Sequence, residues 1–250
     1  MTIKPRGHVI YRGPSLLDGK PIVVIAITKS KNVKTANMVQ TYILRANIDP
    51  RKANRTGQDY SICGTCPHRG TPTKLDTGLA ASRTCYVRID QGPLIVYRSY
   101  KRGIYPTAIG HAAISAIGTG RMIRIGTYGD GAAVPAYVWD SLTSAAQGHT
   151  AYSHQSATPG AAFDPARYMI SADSEQAARA AWQSGARTFR MISAVADIIK
   201  GQEILCPASK EAGYKTNCAK CALCGGAAIK AKSIAIIAHG SGARNFATAA

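Results

Sequence analysis

The chain up to about residue 105 carries short apolar runs separated by Gly, Pro and Asn. Runs rich in β-branched and aromatic residues predict strands, and their sequences are HVIY, PIVVIAIT, MVQTYILRAN, TCYVRI and GPLIVYRSY. Each run has the length of a strand and is too short to cross a membrane. Residues 1–105 are therefore predicted to form a β-rich N-terminal segment.

From residue 106 onward, strand-like and helix-like patterns alternate. The predicted helices cover Pro106–Ile117, Val134–Ala146, a short piece near Asp164, and Ser174–Ser184. The predicted strands are MIRIGTYGD, TAYSHQ, YMISAD, TFRMIS, EILCPA and SIAIIAHG. This alternation is typical of β-α units with a parallel sheet. We expect an α/β fold in which residues 106–250 form an open doubly wound sheet or a partial or complete (β/α) barrel, integrated with the β-rich segment 1–105.

Residues 173–185 give the best-defined helix. Asp173 or Ser174 is a suitable N-cap, and Gly185 is a suitable end.

Polar residues stand where the predicted parallel strands end, which is the usual place for ligand sites in such folds. The candidates for catalysis are Asp130, His154, Asp173, Arg190 and His239. The candidates for cofactor binding are Gly129, Asp130, Ser153, Ser171 and Ser193. Each has a structural explanation when taken alone, such as a helix cap for Asp173, but together they indicate a site.

The charge balance is strongly basic, with 31 Lys and Arg against 13 Asp and Glu, a formal charge of +18. Such a charge favours polyanionic partners, including nucleic acid. The positive residues are dispersed, and no recognition helix or RNA-binding motif accompanies them.

The N-terminus MTIKPRGHVIYRGPS lacks the apolar stretch of a secretory signal. Seven cysteines, several at C-x-x-C spacing, point to metal or redox chemistry in a reducing compartment. We expect a cytoplasmic protein without a membrane anchor.

The second cysteine group consists of Cys206, Cys218, Cys221 and Cys224. A C-x-x-C-x-x-C run with a distant fourth cysteine can surround one compact iron–sulfur cluster. Tetrahedral zinc is the main alternative, although zinc ribbons usually carry two separated C-x-x-C pairs. We predict one metal centre bound by all four thiolates.

The first cysteine group consists of Cys63, Cys66 and Cys85. Three cysteines would leave one iron of a 4Fe–4S cluster open to a substrate or cofactor. If His68 were a fourth ligand, the site would instead be a closed Cys3His zinc site. The first alternative implies reactivity and the second implies a scaffold.

With these motifs, the sequence resembles uncharacterised phage- and mobile-element-encoded proteins of the gene product 88 type. The resemblance covers residues 38–245 and rests on three places. These are the C-x-x-C and Cys85-Tyr86 elements, the Gly129-Asp130 turn with the strand containing Tyr152, Ser153 and His154, and the C-terminal cysteine block ending in Ala238-His239-Gly240.

That group is distantly similar to radical S-adenosylmethionine enzymes. The similarity implies that Cys63, Cys66 and Cys85 hold a 4Fe–4S cluster, that Gly129-Asp130 binds the methionine amine, and that Cys206 to Cys224 hold an auxiliary cluster. The sequence departs from the usual pattern in the gap between Cys66 and Cys85 and in Asp130, which replaces glutamate.

Two functional hypotheses follow. The first is an iron–sulfur protein, of radical S-adenosylmethionine type if it is an enzyme. The alternative is a non-enzymatic nucleic-acid-binding protein whose zinc or iron–sulfur centres only hold loops together.

Overall fold

The structure is a computed structural model that describes residues 5–30, 32–240 and 242–249. The strands are β1 Gly7–Pro14, β2 Pro21–Ile27, β3 Val39–Arg45, β4 Met122–Tyr128, β5 Gly148–Thr150, β6 Tyr152–Ser153, β7 Met169–Ala172, β8 Thr188–Ile192, β9 Glu203–Leu205 and β10 Ser233–Ile237. The α-helices are α1 Pro50–Arg55, α2 Tyr60–Cys63, α3 Gly92–Lys101, α4 Gly110–Gly118, α5 Ala136–Thr143, α6 Glu175–Gln183, α7 Cys218–Cys221 and α8 Ala243–Ala249. Short 3₁₀ turns cover Pro67–Arg69, Gly131–Ala133, Val195–Asp197 and Gly226–Ala228.

The first sheet has the strand order β1-β2-β3-β4-β5. β1, β2 and β3 pair antiparallel, whereas β4 pairs parallel with both β3 and β5. The run Ile22, Val23, Val24 and Ile25 in β2 is fully buried, so both faces of this strand are covered. Most of the buried apolar side chains of the protein pack around this sheet.

The second sheet has the strand order β6-β7-β8-β10-β9, and all of its pairs are parallel. Its apolar core is small. Met169, Ile234 and Ile236 pack there together with the side chains of Cys206 and Cys224. The second sheet therefore depends on cysteine side chains for part of its interior.

The two sheets meet at Ala151, the single residue between β5 and β6. Ala151 is fully buried, and its N–H donates to the carbonyl of Cys224 at 2.9 Å. The carbonyl of Ala151 accepts from the N–H of Met169 at 3.0 Å. One continuous stretch of chain thus serves as the last strand of one sheet and the first strand of the other.

The prediction of a mixed α/β fold with parallel strands is confirmed. A complete barrel is not found, because the described strands form two open five-stranded sheets. The sheets also divide at Ala151 and not near residue 105, since β4 and β5 from the alternating region extend the N-terminal sheet.

Two predicted strands of the N-terminal segment are wrong. The predicted strand at residues 92–100 lies within helix α3, which begins with Gly92 and Pro93 and buries Leu94, Val96 and Tyr97. Proline suits the first turn of a helix because its missing N–H would have no partner there, and packing of these apolar side chains outweighs their strand preference.

The run TCYVRI is irregular and not a strand, because the Arg83 guanidinium donates hydrogen bonds to the carbonyls of Cys85 and Val87. The short helix predicted near Asp164 is a turn in which the Asp164 carboxylate accepts from the N–H of Ala166.

Helix α6 confirms the N-cap prediction in one of its two forms. Ser174 is the N-cap, and its hydroxyl accepts from the N–H of Ala177 at 3.1 Å. Gly185 follows the helix with a positive φ of 77°. Among the described residues, no helix is both long and apolar enough to span a membrane.

Candidate metal centres around a shared cavity

A single cavity of about 510 Å³ receives side chains from both sheets and is called the central cavity below. All seven cysteines of the chain line it. The predicted site residues that also line it are Gly129, Asp130, His154, Ser171, Asp173 and His239. Two motifs that are far apart in sequence, the first and second cysteine groups, therefore face one space.

The first cysteine group is held by short turns. Cys63 ends helix α2, and its carbonyl accepts from the N–H of Cys66 at 3.2 Å and from Gln155 Nε2 at 3.0 Å. The N–H of Cys85 donates to the carbonyl of His68 at 3.0 Å, which closes the stretched loop onto the C-x-x-C turn. The gap in sequence between Cys66 and Cys85 is thus bridged in space.

The three thiols of the first cysteine group affect one another's ionisation. Burial raises the pKa of Cys63 well above its ordinary value, and the charges of Asp59, Cys66 and Cys85 raise it further. Burial also raises the pKa of Cys85. Thiols in such surroundings resist ionisation on their own, so a positively charged metal centre is the natural means of stabilising them as thiolates.

Two arginines fix the loop that carries the first cysteine group. Arg69 donates to the carbonyls of Gly57 and Gly64 and pairs with the buried carboxylate of Asp59. Arg83 donates to the carbonyls of Cys85 and Val87, both at 2.8 Å. These guanidinium groups replace the backbone partners that an irregular loop lacks.

The second cysteine group combines a strand end with a one-turn helix. Cys206 follows β9, and its N–H donates to the carbonyl of Ala235 in β10 at 2.8 Å. Cys218 and Cys221 lie on α7, whose N-cap Asn217 accepts from the N–H of Lys220 at 3.1 Å. The chain then reverses and brings Cys224 back towards the sheet junction.

The reversal occurs at Ala222, which has a left-handed backbone with φ of 54°. After it, the carbonyl of Cys224 accepts from the N–H of Ala151. Burial raises the pKa of Cys224 to about 12, and the neighbouring charges of Cys206, Cys221 and Cys218 act in the same direction. All four thiols of the group are therefore close enough to influence one another.

Arg187 anchors the loop that follows the second cysteine group. Its guanidinium donates to four backbone carbonyls, those of Leu223, Gly226, Ala231 and Lys232. The residue itself is 7% exposed. As in the first group, one arginine gathers the carbonyls of an irregular cysteine loop.

The sulfur atoms of each cysteine group, as the structure places them, are spaced more widely than sulfurs around a single tetrahedral ion. In the part of the chain that the structure describes, no three cysteine sulfurs lie within 4.8 Å of one another. Zinc with bonds near 2.3 Å would hold its sulfurs about 3.8 Å apart. A four-iron cluster spaces its ligands more widely because each thiolate binds a different iron.

A tyrosine–arginine–tyrosine arrangement lies between the two cysteine groups. Arg124 Nη2 donates to the hydroxyl of Tyr86 at 2.8 Å, and its guanidinium lies 5.6 Å from the centre of the Tyr152 ring. Tyr86 follows Cys85 in sequence, and the Tyr152 hydroxyl hydrogen-bonds to Cys224. Arg124 lines the cavity and keeps its positive charge there. Burial lowers the pKa of its guanidinium, but Tyr86, Tyr152 and Cys218 together raise it by more.

Asp130 lines the cavity, but its carboxylate is already engaged. Oδ1 accepts from the N–H of Ala132 at 3.0 Å. Oδ2 accepts from the Ser153 hydroxyl at 3.1 Å, from the N–H of His154 at 2.9 Å and from Gln155 Nε2 at 3.4 Å. Asp130 thus ties the end of β4 to the end of β6, and Ser153 serves the same network.

His68, His154 and Asp173 meet in the cavity. Nε2 of His68 lies 3.0 Å, and Nε2 of His154 lies 3.1 Å, from Oδ1 of Asp173. Nδ1 of His68 lies 2.7 Å from the Thr84 hydroxyl. Both ring nitrogens of His68 therefore face oxygen atoms, which does not support the Cys3His zinc alternative.

Of the remaining predicted site residues, His239 lines the central cavity, whereas Arg190 and Ser193 do not. His239 stacks on Tyr86 with ring centres 5.6 Å apart. Arg190 does not line the cavity, because its guanidinium forms a buried ion pair with Glu203 at 2.6 Å. Ser193 is exposed outside the cavity, and its N–H donates to the Asp197 carboxylate. Arg190 and Ser193 thus lie apart from the other predicted site residues.

Comparison of the chain with protein families, curated proteins and solved structures finds no match. The site residues that sequence reasoning missed are mainly basic or aromatic: Arg69, Arg83, Arg124, Tyr152 and Arg187. The sequence indicates Tyr152 only as part of a strand. The arginines carry no motif, and they act through carbonyls and rings that only the folded chain brings to them.

Proposed function

We propose that this chain is an iron–sulfur protein that holds two clusters on opposite parts of one cavity, where a small molecule reacts. The observation that carries the proposal is the convergence of all seven cysteines on the central cavity in the two predicted groups. The donor set fits, because thiolates are the ligands that iron–sulfur clusters require. The wide sulfur spacing also favours a cluster over mononuclear zinc.

The second cysteine group would saturate its cluster with four thiolates, whereas the first would leave one iron without a protein thiolate. A cluster with an open iron is the form that can bind a cofactor such as S-adenosylmethionine. The N–H of Asp130 donates to the carbonyl of Ile62 at 2.6 Å, so the Gly129-Asp130 turn packs against the helix that ends in Cys63. This neighbourhood supports a cofactor site of radical type.

One residue role is revised within this proposal. The carboxylate of Asp130 is taken up by its internal hydrogen bonds, which argues against a direct contact with a methionine amine. Arg124, positive and facing the cavity, is the better candidate for orienting the carboxylate of a bound substrate or cofactor.

Metal analysis after anaerobic purification tests the proposal. We expect about eight iron and eight sulfide per chain, since each 4Fe–4S cluster contributes about four of each. Cys66→Ser and Cys221→Ser should each lose about half of both, while Ser115→Ala, a change on α4 outside the central cavity, should lose none. Stoichiometric zinc without sulfide would overturn the proposal.

Electron paramagnetic resonance separates the two centres. S-adenosylmethionine should perturb the signal of the reduced wild type and of the reduced Cys221→Ser variant, but not that of Cys66→Ser. An unchanged wild-type signal would leave the iron–sulfur assignment standing and remove the radical mechanism.

The net charge of +18 favours a second candidate, nucleic-acid binding with the metal centres as scaffolds. Several of the arginines serve inside the fold, which reduces the charge that is free for a partner. Titration of a fluorescent oligonucleotide at increasing salt decides this alternative, because polyanion binding weakens steeply through counterion release.

A further inference from the structure

A third set of metal-ligand side chains lies in the central cavity outside both cysteine groups. His68, His154 and Asp173 bring one ring nitrogen each and one carboxylate oxygen within 4.8 Å of one another. We infer that these three side chains bind a divalent transition-metal ion, separate from the cysteine-bound centres. This inference goes beyond the proposed function and does not depend on it.

The three residues come from separate elements that the fold brings together. His68 lies on the turn Pro67–Arg69, His154 directly follows β6, and Asp173 directly follows β7. Because β6 and β7 are neighbouring parallel strands, their carboxyl ends open on the same side. The side chains of both histidines are largely buried, with 18% and 16% exposure.

The surroundings of each imidazole suit a metal ligand. A histidine that binds metal through one ring nitrogen usually donates its other N–H to a fixed acceptor. The Thr84 hydroxyl lies 2.7 Å from Nδ1 of His68 and can accept that hydrogen. On His154, the sulfur of Cys66 is the hydrogen-bond partner, and the backbone N–H is held by Asp130.

The same scaffold supports two tautomers. With the proton on Nε2, each imidazole donates to the shared Asp173 oxygen. With the proton on Nδ1, both Nε2 atoms are free to bind a metal ion together with Oδ1 of Asp173, which lies 3.0 and 3.1 Å from them. The exchange moves a proton between ring nitrogens and requires no change of backbone.

The chemistry of the ligands selects the metal class. Two neutral imidazoles and one carboxylate suit Fe²⁺, Mn²⁺, Co²⁺ or Zn²⁺, and the softer thiolates nearby suit the clusters. Three protein ligands leave positions for water or for an oxygen atom of a substrate in the cavity. The site would carry a net charge of +1 and would therefore favour an anionic oxygen ligand.

Cobalt titration of the full chain, purified anaerobically with any clusters in place, tests the inference. Wild type should bind one Co²⁺ with visible d–d bands and without a sulfur-to-cobalt charge-transfer band, because no thiolate is a ligand. Asp173→Asn should abolish this binding. Asp76→Asn, a matched change at an exposed position, should leave it unchanged.

Thr84 provides a second test that does not alter a ligand. Thr84→Val should weaken Co²⁺ binding by about 10- to 100-fold through loss of the partner of His68, and Thr84→Ser should restore it. This pair decides the question if Asp173→Asn fails to fold, as judged by circular dichroism.

The inference is overturned if wild type binds no Co²⁺ beyond what Asp173→Asn binds, or if the Co²⁺ that is lost in Asp173→Asn shows sulfur charge transfer. Iron and sulfide analysis of the same samples keeps the two proposals distinct. Co²⁺ binding that requires Asp173 in a protein without sulfide would support this site and contradict the iron–sulfur assignment.

Discussion

At the scale of single residues, the irregular cysteine loops are organised by arginine. A loop that must place several thiols around one point cannot also satisfy its carbonyls through a regular sheet or helix. Arg69, Arg83 and Arg187 supply the missing donors from planar groups that reach several carbonyls at once. Part of the positive charge of this chain therefore belongs to its interior.

Replacement of Arg187 by lysine should destabilise the protein by about 2–3 kcal/mol, because a single ammonium cannot reach all of the carbonyls that the guanidinium satisfies. Urea unfolding of the metal-loaded protein measures the loss. Arg179→Lys is the matched control. Arg179 forms an exposed ion pair with Glu175 on α6, so that change should cost less than about 0.5 kcal/mol. Equal effects of the two changes would contradict the anchoring role.

At the scale of elements, the second cysteine group depends on a chain reversal at Ala222. Its left-handed backbone conformation costs free energy for any residue with a Cβ atom. Ala222 has left-handed backbone angles, which cost roughly 1–2 kcal/mol for a residue with a Cβ atom. Ala222→Gly should therefore stabilise the protein by about 1 kcal/mol. Ala219→Gly, within α7, should destabilise it by about 0.5–1 kcal/mol. Unfolding midpoints of the two variants in the same metal state give the comparison, and a loss of stability in both would refute the strain.

The elements that could be predicted from sequence are those whose pattern comes from burial. β2, β4, β7, β8 and β10 appear where apolar runs indicated them, and α6 begins at its capping serine. The strand predicted at residues 92–100 is wrong because the same apolar run also fits the buried face of a helix. Only the Gly92-Pro93 start distinguishes a helix from a strand here. In the candidate site, the spacing of the cysteines in the sequence predicted their grouping. The contacts of His68 and His154 with Asp173 could not be predicted, because they join residues that only the tertiary fold brings together.

At the scale of the whole molecule, the interior is unevenly divided. The first sheet has a large apolar core, and the second has a small one to which Cys206 and Cys224 contribute. Local stability follows buried apolar contacts, and metal binding adds folding free energy where the ligands lie. If its cysteines bind metal as proposed, the second sheet should depend on that metal far more than the first sheet depends on the metal of the first cysteine group.

Removal of metal by a chelator should raise amide hydrogen exchange in residues 203–237 by at least about tenfold, while β2 and β3 stay protected. Hydrogen exchange read by mass spectrometry resolves the two regions. Cys221→Ser without chelator should reproduce the pattern, and Cys66→Ser should not. A uniform rise across both sheets would show that the molecule opens as one unit.

The strand order β8-β10-β9 determines when the second cysteine group can fold during synthesis on the ribosome. Among the described strands, β9 pairs only with β10, which is made almost thirty residues later. All thiols of the first cysteine group have been synthesised by residue 85. The N–H of Cys206, in contrast, gains its partner, the carbonyl of Ala235, only after Ser233–Ile237 has left the ribosome and paired between β8 and β9. A nascent chain that stalls between Cys224 and β10 would carry the four thiols of the second cysteine group on an unpaired strand and an unanchored loop. Thiols in that state react with oxygen and with other metal ions. If both groups bind metal as proposed, the second group can receive its metal in a folded site only after β10 has been made, and that binding completes the fold.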